Sequence, residues 1–204
     1  MSPFARALEL AERRLSIHKV DPTRVTLLKT EDSASELPLL TSSIDHIHCG
    51  GVLHHTSQPA SILREFFRVL KPGGTLYAST GNIAFLAMRL SLFVGQFNYG
   101  KRGILDLTHT RLFTIYSFKK LLVNGGFVIK EVHGFGPPIR DMIGSSAALR
   151  TADTTSGMLA RLWPRLFAFS FLVVAEKADE LEDIYARTLA PPESSEPQGR
   201  TGEA

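Results

Sequence analysis

The spacing of apolar residues defines one unit clearly and the rest of the chain around it. From Pro59 to Leu70, Ile62, Leu63, Phe66, Phe67, Val69 and Leu70 recur at three- and four-residue intervals, with Arg64, Glu65 and Arg68 between them. That period predicts a helix with one apolar face. Ile44 to Cys49 precedes it as a short run with two His and an Asp, read as a buried strand carrying polar residues near its ends. Gly50-Gly51 breaks that strand. Lys71 closes the helix, and Pro72-Gly73-Gly74 reads as a stop and turn before a strand over Thr75 to Ser79. Two strands joined by a crossover helix are expected to lie parallel.

Upstream, Phe4, Ala7, Leu8, Ala11 and Leu15 share one face of an expected helix over Pro3 to Leu15, and Val25 to Leu28 reads as a strand. Downstream, Ile83 to Phe97 is apolar on almost all sides, which predicts a helix that is buried or lies on something apolar. Thr114 is an N-cap candidate for a helix through Leu122 and Val123, stopped by Asn124-Gly125-Gly126. Phe127 to Val132 reads as a strand. Pro137-Pro138 opens a Ser-, Thr-, Ala- and Gly-rich segment to about Pro164, in which Ile139 to Leu149 is a candidate loose helix. Leu166 to Ala175 is a near-continuous apolar run, expected as a fully buried strand. Lys177 to Leu189 is charged and of short-helix length. The Pro-, Ser-, Glu- and Gly-rich tail from Ala190 has the composition of disorder.

Composition narrows the class. Of 204 residues, 44% are hydrophobic and 21% charged, which suits a soluble globular domain. The net charge of +3 comes from scattered Lys and Arg, so no nucleic-acid footprint is expected. The single Cys leaves no partner for an intramolecular disulfide. The first residues lack the continuous apolar core of a secretory signal, and no apolar stretch reaches the ~20 residues that span a bilayer. The default expectation is cytoplasmic, with no transmembrane segment.

GVLHHTSQP followed by REFFRVLKPGGTLYAST resembles the second half of class I S-adenosylmethionine (SAM) dependent methyltransferases, of the methyltransferase type 11 kind. In that family, VLHH-like residues follow the fourth strand, and a helix ending in R-V-L-K-P-G-G leads into the fifth. Arg68 to Gly74 matches this ending at every position. Asp106, Thr108, His109, Arg111, Phe113 and Thr114 match the D-x-T-H-x-R-x-F-T segment of one subgroup. The resemblance implies an α/β, Rossmann-like fold: a mostly parallel sheet with flanking helices, an antiparallel last strand and the strand order 3-2-1-4-5-7-6. It implies SAM as cofactor and a small-molecule, saccharide or lipid acceptor, with many members acting on such compounds. The family's Gly-rich loop and the acidic end of its second strand are not found, and the first glycine is Gly50. The expectation is therefore a truncated, N-terminally incomplete methyltransferase-like domain over residues 1–177, with a tail over 178–204. The exposed sheet edge is expected to be covered by Val25–Leu28 pairing with Ile44–Cys49; the alternative is cover by another chain, in a homo-oligomer or from a partner. An inactive remnant with a binding or regulatory role is the alternative function.

The candidate chemistry gathers after the first two central strands. His54 and His55 stand where the family faces its reacting groups, either as base or positioning group or as packed loop histidines. Gly50, Gly51 and Val52 either line the methionine end of SAM or form a plain turn. Asp32, with Glu31 as the register alternative, either meets the adenine amino group or is a solvated acid. Asn82, Asp106 and Arg111 are substrate-side candidates, with His109 as a further base; Asp and His accept protons, and Arg holds a carboxylate or phosphate. The bland reading of Asp106, His109 and Arg111 is a loop that fixes a lid. No metal is expected: His46 and His48 at i, i+2 with the adjacent pair His54 and His55 make a poor ligand set. Cys49 reads as a small buried residue rather than a nucleophile.

Overall fold

A computed structural model describes residues 36–100, 103–138 and 147–178, without the side chains of 147–153. All belong to one unit, Ser35–Ala204. The expected N-terminal helix, the Val25–Leu28 strand and its pairing, Asp32 with Glu31, most of Ile139–Leu149 and Lys177–Leu189, and the tail lie outside the described residues.

The elements run β1 (Ile44–Gly50), α1 (Pro59–Val69), β2 (Leu70–Gly81), α2 (Leu86–Phe93), α3 (Ile115–Asn124), β3 (Phe127–Phe135), α4 (Ala147–Leu162), α5 (Pro164–Phe167) and β4 (Ser170–Lys177). The strands form one sheet in the order β1-β2-β4-β3. β1 and β2 pair in parallel, as the crossover helix requires. β4 runs antiparallel to both β2 and β3, so the other three strands share one direction. This is the 4-5-7-6 portion of the implied strand order. The architecture is α/β and Rossmann-like, with an antiparallel last strand inserted between its two neighbours.

Helix α1 begins with Pro59 in its first turn, where the missing N–H costs nothing. Its buried face is Ile62, Leu63, Phe66 and Val69, the period read from the sequence. Arg68 binds Glu65 through both carboxylate oxygens, at 2.9 and 2.6 Å. Glu65 also accepts from the Leu37 backbone N–H at 2.6 Å, and Arg68 donates to the carbonyls of Leu37 and Leu39. This buried carboxylate and its guanidinium thus fasten the incoming Leu37–Leu39 segment to the helix. The guanidinium holds the Glu65 carboxyl below the usual range.

Pro72-Gly73-Gly74 is not a turn outside the strand. β2 starts at Leu70, and these residues form a bulge within it. Between Ile44↔Leu70 and His46↔Thr75, β1 advances two residues and β2 five. The bulge needs its glycines: Gly73 has φ 70°, and a Cβ on Gly74 would lie 2.8 Å from the Lys71 carbonyl oxygen.

Four other expectations change. In β1 only Cys49 is buried, and Asp45, His46 and His48 are exposed, so this is not a buried strand. The Leu166–Ala175 run divides, because Pro164 starts the short helix α5 and the strand begins at Ser170. Along β4, buried Phe171, Val173 and Ala175 alternate with half-buried neighbours, so one face is less covered than expected. Helix α2 buries none of its residues, and Phe93 is 88% exposed. Its Leu86, Ala87 and Leu90 line a cleft together with Pro137, Leu159 and Phe167. Helix α4 occupies the Ser-, Thr-, Ala- and Gly-rich segment before Pro164, where Thr, Ser and Gly hide the helical period in the sequence.

Thr114 caps α3 as expected, in a reciprocal box with Ser117. The core beneath it is aromatic: Phe118 packs edge-on to both Phe113 and Phe171, with ring centroids at 5.2 and 5.4 Å.

Candidate functional site

Because β1 and β2 are parallel, their carboxyl ends lie side by side, at Gly50 and Gly81. Loops leaving such ends are where open α/β sheets place ligand sites. The loop after β1 and the segment 104–114, which precedes α3, meet there. The His54 carbonyl accepts from the backbone N–H groups of Thr110 and Arg111, at 2.9 and 3.1 Å. Arg111 donates to the Ser57 carbonyl at 2.9 Å. His55 Nδ1 lies 3.0 Å from the Thr108 carbonyl. Two segments over fifty residues apart in sequence are thereby fastened together.

This brings His54, His55 and His109 into one cluster. The ring centroids are 4.4 Å apart for His54–His55, 4.1 Å for His54–His109 and 4.9 Å for His55–His109. His54 is 8% exposed, and its Nδ1 is 2.9 Å from Thr80 Oγ1. Burial, reinforced by the neighbouring His109 and His55, pushes its pKa down to about 4, with Asp106 opposing. It is neutral at pH 7. His109 is half-buried, with Nδ1 2.9 Å from the Ile104 carbonyl. A carbonyl only accepts, so His109 and His55 each carry a proton on Nδ1, which makes Nε2 the basic atom when the ring is neutral.

Asp106 sits at the rim. Its Oδ1 accepts from the backbone N–H and hydroxyl of Thr108, at 2.8 and 2.7 Å. Those bonds hold its carboxyl below the usual range. Asn82 is 0% exposed; it donates to the Ala168 carbonyl at 2.9 Å and accepts from the Ala84 N–H at 3.1 Å. Its amide is engaged with the scaffold, as the Arg111 guanidinium is with Ser57. Cys49 is buried and its thiol is pushed up to about 11, so it stays protonated.

Gly50 and Gly51 stand beside the cluster. A Cβ on Gly50 would meet only Ser79 Oγ, at 3.9 Å, so its backbone is open to close approach. Gly51 has φ 78°, and a Cβ there would press to 3.2 Å from the His54 ring. Val52 is exposed. The structure joins His54, His55, His109 and Asp106 with Gly50, Gly51 and Val52; it directs Asn82 and Arg111 to structural bonds. Thr80 was missed by sequence reading. The only signal was its place at the end of the second strand, two residues before Asn82.

Comparison with known proteins points one way. The methyltransferase domain family model matches residues 2–78. Over 100 residues the chain is 32% identical to a protein of Mycolicibacterium smegmatis named a probable S-adenosylmethionine-dependent methyltransferase, covering 49% of this chain and 35% of that one. Over 67 residues it is 37% identical to a ubiquinone biosynthesis O-methyltransferase of Xanthomonas campestris, covering 33% of this chain and 27% of the relative. The chain thus spans about a third of these relatives. A solved SAM-dependent methyltransferase of Thermotoga maritima superposes with TM-score 0.51 at 17% identity, covering 75% of this chain and 64% of that one. That likeness is one of fold.

Proposed function

Since the chain belongs to the class I SAM-dependent methyltransferases, whose cofactor is SAM, we propose that it takes part in methyl transfer to a small-molecule acceptor at the carboxyl ends of β1 and β2. The observation that carries this reading is the cluster of His54, His55 and His109 against Gly51, which follows the open backbone of Gly50. The residues present fit one side of the cofactor. Gly50, Gly51 and Val52 would line its methionine end, and the bare Gly50 backbone permits the approach. Bound SAM supplies an electrophilic methyl group.

The chain's own residues would do the following. His54, held neutral and fixed by Thr80, orients an acceptor hydroxyl or amine by accepting its hydrogen bond. With a pKa near 4 it is too weak a base to keep the proton at pH 7. His109 Nε2 is the proton acceptor in this reading, and the Asp106 charge favours the imidazolium that forms. Arg111 and Thr110 keep both segments closed around the acceptor. Positioning of this kind supplies most of the rate in a displacement that needs little else from the protein. The name of one relative, a ubiquinone biosynthesis O-methyltransferase, favours a small-molecule acceptor over a macromolecule.

A second reading has its own support. In it the chain binds a ligand or partner without transferring methyl: His54, the ring fixed at the end of β2, is too weak a base to keep a proton at pH 7. Titration calorimetry with SAM separates the two. Micromolar binding, weakened when Gly50→Val fills the open backbone, supports methyl transfer. Heat indistinguishable from dilution at millimolar SAM refutes it for this chain and favours the second reading.

A further inference from the structure

We propose that His54, His55 and His109 bind a divalent cation of borderline softness, foremost Zn²⁺, through one nitrogen of each ring. One ring nitrogen from each lies within 4.8 Å of the other two. The surroundings are those of metal-bound imidazoles. A ligating His characteristically gives its second nitrogen to a carbonyl, hydroxyl or carboxylate, which fixes the tautomer and aims the free lone pair. Here His55 Nδ1 is on the Thr108 carbonyl, His109 Nδ1 on the Ile104 carbonyl and His54 Nδ1 beside Thr80 Oγ1. Three Nε2 atoms are thereby left without a partner among the hydrogen bonds of the cluster. Ion binding selects the tautomer in which His54 donates its Nδ1–H to Thr80 Oγ1, which leaves its Nε2 lone pair open.

The ligand chemistry selects the ion. Three imidazoles suit Zn²⁺ and its late transition-metal neighbours, not Mg²⁺ or Ca²⁺, which prefer oxygen. Three protein ligands leave a fourth position for water or for an acceptor oxygen, as in catalytic rather than structural zinc sites. Zn–N bonds of ~2.1 Å place nitrogens about 3.4 Å apart in tetrahedral geometry, so the cluster must contract. His55, exposed and on a loop, is the ring free to move inward. Asp106, whose charge acts on all three rings, offsets part of the positive charge. By spacing alone His46, His48, His54 and His55 make a poor ligand set and no metal is expected; the fold replaces His46 and His48 with His109, and those two instead neighbour the Tyr77 ring, His48 stacked on it. The inference does not depend on the proposed methyl transfer, since metal binding is measured without SAM; with the ion in place, the Nε2 lone pairs of His54 and His109 are on the metal, and the roles given to them above belong to the metal-free chain.

The test uses the full chain without a histidine tag, stripped with a chelator and returned to chelator-free buffer. Co²⁺ is titrated while the visible d–d absorption is recorded, and Zn²⁺ is then added in competition. One equivalent should produce a tetrahedral or five-coordinate band that Zn²⁺ abolishes. His109→Gln should weaken binding by more than about 100-fold. Thr80→Val, which keeps all three rings but removes the partner of His54, should weaken it about 10- to 100-fold. Joint replacement of His46 and His48 by Gln should leave it unchanged. If His109→Gln does not fold, His55→Gln carries the same expectation, since that ring is exposed. No band and no stoichiometric binding at millimolar Co²⁺ would overturn the proposal, as would binding retained in the His109 or His55 variant.

Discussion

Protonating His54 should destabilise the fold, and the size of the loss follows from its surroundings. In the unfolded chain its pKa returns to the ordinary histidine value of 6.5, against about 4 when folded. The unfolded state therefore binds more protons between these values, and stability rises with pH across that window. The contribution is complete above about pH 6.5 and is lost as pH falls towards 4. From pH 7.5 to pH 5 the linkage relation gives a loss of about 2 kcal/mol from this one group. Urea unfolding at both pH values, in a chelator to keep metal from the rings, measures the change. The control is His54→Asn, whose side-chain amide can keep the bond to Thr80 but cannot take a proton. Wild type should lose about 2 kcal/mol more than the variant between pH 7.5 and pH 5. Equal losses would show that the ring is not held neutral by the fold, and the account of the cluster would fail with it.

Two structural predictions follow from the packing. Phe118→Ala empties the centre of the Phe113–Phe118–Phe171 stack and should cost about 3–5 kcal/mol in urea unfolding; a cost below ~1 kcal/mol would mean the core refills. Gly126→Ala places a Cβ 2.7 Å from Phe67 Cε2 at a residue with φ 91°. It should cost about 2–4 kcal/mol and lower the melting temperature, with Gly125→Ala, where φ is negative, as the milder comparison.

What the sequence disclosed follows the range of the interactions involved. The period of α1, the Thr114 cap and the Gly125-Gly126 stop are local signals, and the structure keeps each of them. The parallel pairing of β1 and β2 was legible because a crossover helix permits little else. The bulge at Pro72-Gly73-Gly74 was not, because a glycine turn and a glycine bulge look alike until the partner strand is in place. The exposed face of α2 was hidden for a similar reason: apolar composition says what a surface prefers, not what reaches it. The histidine cluster shows the limit most clearly. His54 and His55 were visible as an adjacent pair, and His109 as part of another motif, but nothing local joins residues so far apart. Their meeting depends on backbone bonds from Thr110 and Arg111 to the His54 carbonyl, which only the tertiary fold creates.

The carboxyl end of β2 links that fold to the site. Thr80 lies against His54. Gly81 has no side chain, so Ile104 packs 3.5 Å from where a Cβ would stand, and the Ile104 carbonyl receives His109. Asn82 bridges to Phe113 and ties the Ala168 carbonyl ahead of β4. Three consecutive residues thus orient two of the three rings and anchor the inserted antiparallel strand. The third ring, His55, depends on Thr108, and Thr108 is held in turn by Asp106. Asp106 therefore has two separable roles. Its oxygen closes the loop that carries Thr108, and its charge favours positive charge on the rings. An amide at this position could retain the first role and would lose the second. The cluster is rigid on the β2 side and adjustable on the His55 side, an asymmetry that suits a site whose geometry must tighten around what it binds.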